Sequence, residues 1–345
     1  MRVRPGRGSR PRTKVRPDWS GCPLGRVVAV DRGRWGVVLE EGERHIQAVK
    51  ARELGRGTVV MGDRVRLSGD LSGRADTLAR IVEVLERRTV LRRSLEDAPD
   101  QRGEKVIVAN AQVMVIVVAL ADPPPRRGMV DRCLVAAYEA GLRPVLCLTK
   151  ADLADPAPFL RAFDDFDLDT VVTSPQPGNT GVLMGLDPLR ELLRGSFSVL
   201  VGHSGVGKST LINALVPGAG RAVGHVNDVT GRGRHTSTSS EAFELPGGGW
   251  VVDTPGVRSF GLGHVQVGDV LAVFPDVARA AEWCLPLCTH SAEEPSCALD
   301  AWAHGQPPFE RVTDAQATRR ASRVASVRRL LAAVATAEAA SRAAR

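Results

Sequence analysis

The chain has 345 residues, with 46 lysines and arginines against 39 acidic residues and a formal net charge of +7. That length suits two or three domains, and the basic balance favours an anionic partner such as nucleic acid. The sequence shows neither a signal peptide nor an apolar stretch of membrane-spanning length. We therefore expect a cytoplasmic protein in a reducing compartment, with no membrane partner.

The first 17 residues form a basic segment with seven arginines and lysines and no acidic residue. Such a composition is typical of a disordered arm that is attracted to phosphates, and an ordinary solvated tail is the alternative. We assign residues 1–19 to this tail.

Five short runs with alternating apolar residues follow, separated by turns rich in glycine and aspartate. Five strands within about 70 residues suit a small Greek-key barrel, and the OB-fold is the commonest such barrel that binds nucleic acid. An SH3-like barrel with the same number of strands is the alternative. Trp35 is the one ring of this segment that could stack on a base, so backbone and shape contacts with structured RNA are favoured. The barrel is placed at residues 20–95, with strands at 26–30, 35–39, 45–49, 64–67 and 80–84.

A guanine-recognition pattern, TKAD, follows the strand-like run at 144–148. The carboxylate of Asp152 can accept hydrogen bonds from guanine N1–H and the 2-amino group, whereas adenine offers neither donor, so the site would reject ATP. Thr149 replaces the commoner asparagine, which should weaken the tie to a phosphate loop without changing the choice of base. Alone, four such residues are more often an ordinary helix N-terminus. The predicted base-reading residues are Thr149, Lys150 and Asp152, with Thr173 and Ser174 placed near guanine O6 by a second short strand.

A glycine-rich motif, GHSGVGKST, follows the apolar run at 197–201. Its spacing is that of a P-loop, whose backbone N–H groups point at phosphate oxygens. In a P-loop the lysine reaches the β- and γ-phosphates and the next hydroxyl binds Mg²⁺, roles that fall to Lys208 and Ser209. The preceding strand and the helix-forming run at 211–215 argue against a glycine turn without a ligand. The motif comprises Gly202, His203, Ser204, Gly205, Val206, Gly207, Lys208, Ser209 and Thr210.

Two further elements would complete a nucleotide site. The sequence DTPG, from Asp253 to Gly256, matches the DxxG element in which the carboxylate holds Mg²⁺ through water and the glycine N–H faces the γ-phosphate. Before it lies the glycine- and arginine-rich segment 231–238, in which Thr236, or alternatively Thr238, would complete the Mg²⁺ shell. A flexible basic loop without a metal contact is the other interpretation.

The order of these motifs along the chain is unusual. The base-reading motif comes first, then the Thr-Ser strand, the P-loop, the magnesium threonine and DxxG. Most GTPases begin with the P-loop. The order therefore predicts a circular permutation, in which the same parallel sheet is wound from a different starting strand. We place this GTPase domain at residues 105–262.

The residue that usually activates the attacking water is absent from its usual position. Many GTPases place a glutamine soon after DxxG, but Val257, Arg258 and Ser259 stand here. An apolar side chain cannot position water, so His235, beside Thr236, is the candidate. Imidazole can orient the water by hydrogen bonding once its loop is ordered by docking on a partner. The alternative is that His235 contacts only RNA or solvent.

A cluster of metal-ligand residues follows, with the spacing C-x3-C-x-H-x6-C. Three thiolates and one imidazole form a closed tetrahedral Zn²⁺ site that is structural and has no open position for catalysis. A disulfide is a poor alternative in a reducing compartment, and free or redox-active thiols are the other one. The predicted ligands are Cys284, Cys288, His290 and Cys297, in a zinc-binding helical module at residues 263–345.

The end of the chain predicts an amphipathic helix. Because both ends of the chain are basic, its charged face favours RNA over a solvated surface. A membrane surface is disfavoured, since the helix offers valine and alanine instead of aromatic anchors. The apolar face comprises Val324, Val327, Leu331 and Val334, and the charged face comprises Arg319, Arg320, Arg323, Arg328 and Arg329.

Together these motifs resemble the RsgA (YjeQ) family, the ribosome small subunit-dependent GTPases. The resemblance covers roughly residues 20–315 and rests on the permuted order, GRHTST before DTPG, Val257, the Cys-Cys-His-Cys cluster, VDRCLV at 130–135 and EPSCA at 294–298. It implies an N-terminal OB-fold, a central permuted α/β P-loop GTPase domain and a C-terminal zinc domain, with His235 as the catalytic residue. The chain departs from the family in a first zinc loop one residue shorter than expected, which could strain the metal geometry. A second departure is Ala111-Gln112, which lacks an aspartate expected after the preceding Ala-Asn pair.

We therefore expect a monomeric enzyme that binds Mg²⁺ with GTP and hydrolyses GTP to GDP and phosphate. The resemblance implies stimulation by the small ribosomal subunit, binding of its rRNA and a role in late maturation of that subunit. The alternative is a GTP-dependent RNA-binding switch without significant turnover.

Overall fold

The computed structural model describes residues 18–31, 33–55, 58–94, 104–166, 168–220, 240–253, 262 and 265–343. The basic tail up to residue 17, His235, Thr236, Thr238 and Gly256 lie outside these ranges. The roles predicted for them therefore stay predictions.

The N-terminal part is a closed five-stranded barrel, and each of the five predicted runs is a strand. The order is β1-β2-β3-β5-β4, and β4 also pairs with β1. The β3 and β5 strands run parallel, which fits an OB-like barrel and rules out the all-antiparallel SH3-like alternative. Trp35 lies in the barrel core at 9% exposure, so its ring is not available for stacking on bases. The strands are β1 (Leu24–Asp31), β2 (Arg34–Leu39), β3 (His45–Lys50), β4 (Arg64–Gly69) and β5 (Ala79–Val84).

The central part is a mostly parallel sheet that confirms the circular permutation. Its strand order is β10-β9-β8-β13-β15-β14, and only β14 runs antiparallel to its neighbour β15. The middle strand β13, which leads into the P-loop, comes after β8, β9 and β10 in the chain. All seven residues of β8 are buried, as expected of a strand covered on both faces. These strands are β8 (Val113–Ala119), β9 (Arg143–Thr149), β10 (Asp169–Val172), β13 (Phe197–Val201), β14 (Ser240–Glu244) and β15 (Trp250–Asp253).

The described residues of the central part also form two hairpins, four α-helices and a short 3-10 helix at Arg161–Phe163. One hairpin is formed by β6 (Val90–Ser94) and β7 (Glu104–Ala109) and the other by β11 (Ser174–Gln176) and β12 (Asn179–Met184). The helices are α1 (Arg127–Glu139), α2 (Ala157–Leu160), α3 (Asp187–Leu193) and α4 (Lys208–Leu215).

The barrel and the central sheet are joined through their backbones. The β14 strand pairs with β1, with Ala29 opposite Glu241, so the two parts share one continuous sheet. Near this junction the Asn110 side chain accepts a hydrogen bond from Arg88 N and donates one to Gly62 O. Gly62 has φ +83°, and a Cβ there would lie 2.0 Å from a backbone oxygen. The contact between the two parts therefore tolerates no side chain at this position.

The C-terminal part consists of α5 (Val267–Ala272), α6 (Pro275–Ala281), α7 (Ala298–Ala303) and the 30-residue helix α8 (Asp314–Ala343). The predicted apolar face of α8 is buried, except that Leu330 at 0% exposure takes the place assigned to Leu331, which is half-buried. In the part of the chain described here, no helix is long and apolar enough to cross a membrane.

The arginines of α8 correct a prediction. The five arginines predicted to line its charged face do not form an open basic face, because four of them bind other parts of this chain. Each of these four arginines either faces an acidic side chain or lies over an aromatic ring. Of the five predicted residues, only Arg319 is exposed. The contacts are Arg320 over Trp302 (4.8 Å), Arg323 with Asp276 (2.7 Å), Arg328 with Asp300 (2.8 and 2.9 Å) and Arg329 with Asp131 (3.0 Å).

Candidate nucleotide site and metal centre

The backbone of the P-loop has conformations and close contacts that require glycine. Gly202, directly after β13, has φ +155°, and a Cβ there would lie 2.4 Å from Val117 O. Gly207, directly before α4, has φ +95° and lies against the Thr149 side chain. The loop therefore curls between strand and helix with its backbone close to the base-reading strand, which is the geometry that phosphate binding requires.

Lys208 folds back over this loop. Its Nζ donates to Gly202 O at 2.6 Å and to His203 O at 2.8 Å. Burial lowers the pKa of Lys208, and the charge of nearby Asp253 opposes that shift only in part. The two carbonyl partners of this half-buried ammonium group are neutral and do not balance its charge. Negatively charged phosphate oxygens would therefore stabilise it.

Asp253 reaches the same edge of the sheet from the neighbouring strand. It is the last residue of β15, is 7% exposed, and lies opposite Leu200 in the parallel register with β13. Ser209 lies in the first turn of α4. A carboxylate and a hydroxyl are oxygen ligands of the type that Mg²⁺ prefers, so these residues fit the predicted magnesium site.

The base-reading strand is bound directly to the P-loop. The hydroxyl of Thr149 donates to Val206 O at 2.6 Å in a buried position. Thr149 therefore contacts the phosphate loop directly, although threonine in place of asparagine was expected to weaken this contact. Lys150 has φ +57° and its Nζ donates to Asp122 O, while Asp152 is exposed.

The second base-side segment lies beside the first. Ala151 N donates to Thr173 O at 3.2 Å, and Thr173 N donates to Leu148 O at 2.8 Å. Thr173 is buried, and Ser174 begins β11 at a half-buried position. The structure therefore brings the TKAD and Thr-Ser segments together at one end of the sheet, next to the P-loop.

The four predicted metal ligands converge. The ligand atoms of Cys284, Cys288, His290 and Cys297 all lie within 4.8 Å of one another, and His290 Nδ1 lies 3.5 Å from Cys284 Sγ and 3.7 Å from Cys297 Sγ. Leu287, in the short first loop, has φ +67°, and the ligand His290, after that loop, has φ +55°. Positive φ is unfavourable for residues other than glycine, and with this backbone the four ligand atoms still lie close enough together to share one metal ion.

The electrostatics of this cluster fit a cation. Burial raises the pKa of Cys284, and burial raises the pKa of Cys297 to about 12. Burial also lowers the pKa of His290, which favours the neutral imidazole that binds metals. A divalent cation stabilises the thiolates that burial alone disfavours. Arg328 supports the cluster from α8, because its Nε donates to His290 O at 3.1 Å.

One residue at the site was not interpretable from the sequence. Gln112 stands where the sequence lacks the expected aspartate. Its side-chain Oε1 accepts a hydrogen bond from Phe197 N at 2.6 Å, and its backbone N–H donates to Phe197 O at 2.9 Å. It therefore fixes the start of the strand that carries the P-loop. An amide at a strand edge gives no local signal of this contact, since its partner lies 85 residues away.

A P-loop on the central strand, a guanine motif earlier in the chain and a permuted strand order define a circularly permuted GTPase. The family described as RsgA GTPase matches residues 84–263. The small ribosomal subunit biogenesis GTPase RsgA of Pseudomonas fluorescens (strain SBW25) is 41% identical over 249 residues, which cover 70% of this chain and 68% of the relative. The chain therefore belongs to the RsgA GTPase family.

Further comparisons agree with this assignment. The protein of the same name from Pseudomonas savastanoi pv. phaseolicola is 39% identical over 272 residues, which cover 76% of this chain and 75% of the relative. The crystal structure of YjeQ from Thermotoga maritima has a TM-score of 0.59 at 25% identity, covering 88% of this chain and 98% of that one. YloQ, a circularly permuted GTPase, has a TM-score of 0.58 at 22% identity, covering 89% and 95%, and shows the shared fold.

Proposed function

We propose that this protein hydrolyses GTP to GDP and phosphate in late maturation of the small ribosomal subunit, which stimulates the reaction. The observation that carries the proposal is the hydrogen bond from Thr149 to Val206, which joins a guanine motif to a P-loop in one site. The name shared by the relatives, small ribosomal subunit biogenesis GTPase RsgA, supports the choice of partner.

The base-side residues select guanine. Asp152 is exposed at the end of the TKAD motif and accepts hydrogen bonds from N1–H and the 2-amino group of the base. With adenine these acceptor contacts would be lost, at a cost of about 1–3 kcal/mol per unpaired group. Lys150 lies next to the base, and Thr173 and Ser174 contribute to recognition of O6.

The phosphate-side residues hold the triphosphate for in-line attack. Lys208 exchanges its carbonyl partners for β- and γ-phosphate oxygens, and the backbone N–H groups of the P-loop donate to the phosphates. Ser209 and Thr236 would supply hydroxyl ligands to Mg²⁺, the carboxylate of Asp253 would hold the ion through water, and the Gly256 N–H would donate to the γ-phosphate. Bound Mg²⁺ neutralises charge that develops on the phosphate oxygens.

His235 orients the attacking water. The apolar Val257 after the DxxG element cannot do so, and an imidazole can accept a hydrogen bond from water. Because His235 belongs to a glycine- and arginine-rich segment, we expect it to reach the water only when the subunit holds that segment in place. This makes turnover dependent on docking.

The Cys-Cys-His-Cys cluster holds one structural Zn²⁺. Four ligands from a single compact segment leave no open coordination position. The metal ion would stabilise a module with a small core of its own and would not take part in hydrolysis.

The barrel is the part of the chain that we assign to rRNA. With Trp35 buried, the barrel binds through backbone and shape contacts instead of base stacking. The protein acts as a cytoplasmic monomer, with a basic tail at 1–19, the barrel at 20–95, the GTPase domain at 105–262 and the zinc-binding module at 263–345.

Turnover of GTP and of ATP, each measured with and without purified small ribosomal subunits, tests the proposal. We expect slow GTP hydrolysis by the protein alone, strong stimulation by the subunits and no comparable turnover of ATP. Tight GTP binding and subunit binding without stimulated hydrolysis would instead establish the alternative, a GTP-dependent RNA-binding switch. Equal turnover of ATP and GTP would refute the assignment of the base site.

A further inference from the structure

Three large apolar side chains are exposed together on the zinc module. They are Trp283 at 63% exposure, Leu285 at 65% and Leu287 at 98%, which we call the zinc-loop patch. Among the large apolar residues of the described chain, these three have the highest exposure, and they occupy alternate positions leading into Cys288. Clustered apolar exposure of this kind marks an interaction surface, whereas isolated exposed leucines are ordinary.

The patch is held in place by its surroundings. Trp283 packs edge-on against Phe309, with 5.9 Å between the ring centroids. Leu287 lies between two of the clustered cysteines with φ +67°, a left-handed conformation that is unfavourable for a non-glycine residue. The loop between the two cysteines therefore presents the Leu287 side chain to solvent, at 98% exposure.

The segment that carries the patch is acidic, whereas the whole protein is basic. The chain carries +7, but residues 274–314 contain seven acidic residues and only two basic ones. Two of these acids are neutralised by arginines of α8, Asp276 by Arg323 and Asp300 by Arg328. The acids are Asp276, Glu282, Glu293, Glu294, Asp300, Glu310 and Asp314, and the bases are Arg279 and Arg311.

Two of the remaining acids border the patch. Glu282 directly precedes Trp283, and Glu310 directly follows Phe309, the ring on which Trp283 packs. Both glutamates are exposed. An apolar surface with an acidic border repels RNA phosphates and attracts lysine and arginine side chains.

We propose that the zinc-loop patch docks a lysine- and arginine-rich polypeptide segment that carries an apolar anchor residue and belongs to a protein component of the small ribosomal subunit. This inference rests on the proposed function for the identity of the assembly. Trp283 and the leucines bury the anchor, and the glutamates pair with the flanking basic side chains. The zinc module thus recognises protein, while RNA is left to other parts of the chain.

Binding of the full-length protein to purified small subunits, with a GTP analogue bound, tests the contribution of the patch. We expect Leu285→Ser/Leu287→Ser to weaken binding about tenfold, as for the loss of an interface anchor, and Glu282→Lys/Glu310→Lys to weaken it as well. Val182→Ser, which changes a side chain that is 44% exposed on β12, is the matched control and should bind normally. Zinc content and GTP affinity should match the wild type in every variant.

Cross-linking distinguishes the partner class. A photoreactive benzophenone side chain at position 287 should cross-link to a ribosomal protein within a lysine- and arginine-rich segment. Cross-links to rRNA alone would show that the patch stacks on bases and would overturn the proposal, as would normal subunit binding by both double variants. If the wild-type protein fails to bind the subunit at all, the proposed function and this inference fall together.

Discussion

The Thr149 hydroxyl donates a 2.6 Å hydrogen bond to Val206 O, which ties the last residue of β9 to the middle of the P-loop. The two residues are 57 positions apart, and the bond is buried. It connects the strand that carries the base-reading motif to the loop that binds phosphates. The bond therefore fixes the motif proposed to read the base relative to the loop proposed to bind the phosphates.

Thr149→Val removes this hydroxyl at nearly constant volume and leaves Val206 O without its buried donor. A lost hydrogen bond of this type is worth roughly 0.5–1.5 kcal/mol, so we expect GTP affinity to fall about threefold to tenfold. Equilibrium binding of a fluorescent GTP analogue measures the change. Thr149→Asn is the matched control, because its amide can donate to the same oxygen. Wild-type affinity in Thr149→Val would show that the bond does not organise the site.

Asp152→Asn should change the preferred base. The carboxylate only accepts hydrogen bonds, whereas an amide can also donate. We expect this variant to lose affinity for GTP and to gain affinity for xanthosine triphosphate, whose C2 carbonyl accepts where guanine donates. Competition between the two nucleotides measures the exchange. Asp155→Asn, three residues further along the chain, should leave the preference for GTP intact.

Local patterns predicted most of the architecture because the relevant signals are local. The five barrel strands follow from alternating apolar residues, and the permuted order follows from motifs that each identify one strand end. The metal cluster could be found because its ligands lie within one short segment, so sequence spacing and spatial distance are closely linked.

The errors concern partners that are distant in sequence. The arginines of α8 look like an open basic face because their acidic partners, such as Asp131 and Asp276, lie far earlier in the chain. The periodicity of the helix cannot distinguish an arginine in solvent from one in an ion pair. The role of Gln112 could not be predicted for the same reason, because its hydrogen-bond partner Phe197 lies at the start of β13, 85 residues away.

Removal of a metal ligand should loosen the C-terminal part without removing nucleotide binding. We expect elemental analysis to find about one zinc ion per wild-type chain and almost none in Cys297→Ala. Proteolysis within residues 265–343 should become faster in the variant because metal binding and folding of such a module are coupled. Cys22→Ala changes a half-buried cysteine outside the cluster and should retain the metal. A wild-type protein free of zinc, with Cys284, Cys288 and Cys297 all readily titrated, would contradict this prediction.

His235→Ala should abolish stimulation while GTP still binds. If His235 orients the attacking water, its loss lowers the subunit-stimulated kcat by at least about tenfold, and the slow basal rate and GTP affinity change little. Turnover at saturating subunit concentration separates this effect from weaker docking. His304→Ala, which removes an exposed histidine of the C-terminal part, serves as the control. Full stimulation in His235→Ala would mean that His235 contacts only RNA or solvent.

The ion pair between Arg329 and Asp131 should stabilise the attachment of α8 to the GTPase domain. Arg329 Nε lies 3.0 and 3.1 Å from the two carboxylate oxygens, and the same side chain donates to Ala162 O and lies 5.6 Å from the rings of Phe163 and Phe166. The Asp131 side chain is only 3% exposed. Arg329→Met would therefore leave a buried carboxylate without its cation, and we expect a loss of about 2–4 kcal/mol in urea unfolding.

The dependence of this loss on pH gives a second test. Burial raises the pKa of Asp131, and the positive charge of Arg329 and its hydrogen bonds oppose the rise. In Arg329→Met that opposition is gone, so the pKa of Asp131 in the folded state rises further above the unfolded value. The folded variant then binds a proton that the unfolded chain releases, and its stability is retained at low pH and lost as pH rises through the folded-state pKa.

Relative to wild type, the variant should therefore be most destabilised near neutral pH and least destabilised in mild acid. Arg329→Met/Asp131→Asn carries no buried carboxylate and should lack this pH dependence. If Arg329→Met unfolds like the wild type at neutral pH, the ion pair contributes nothing measurable to the attachment of α8.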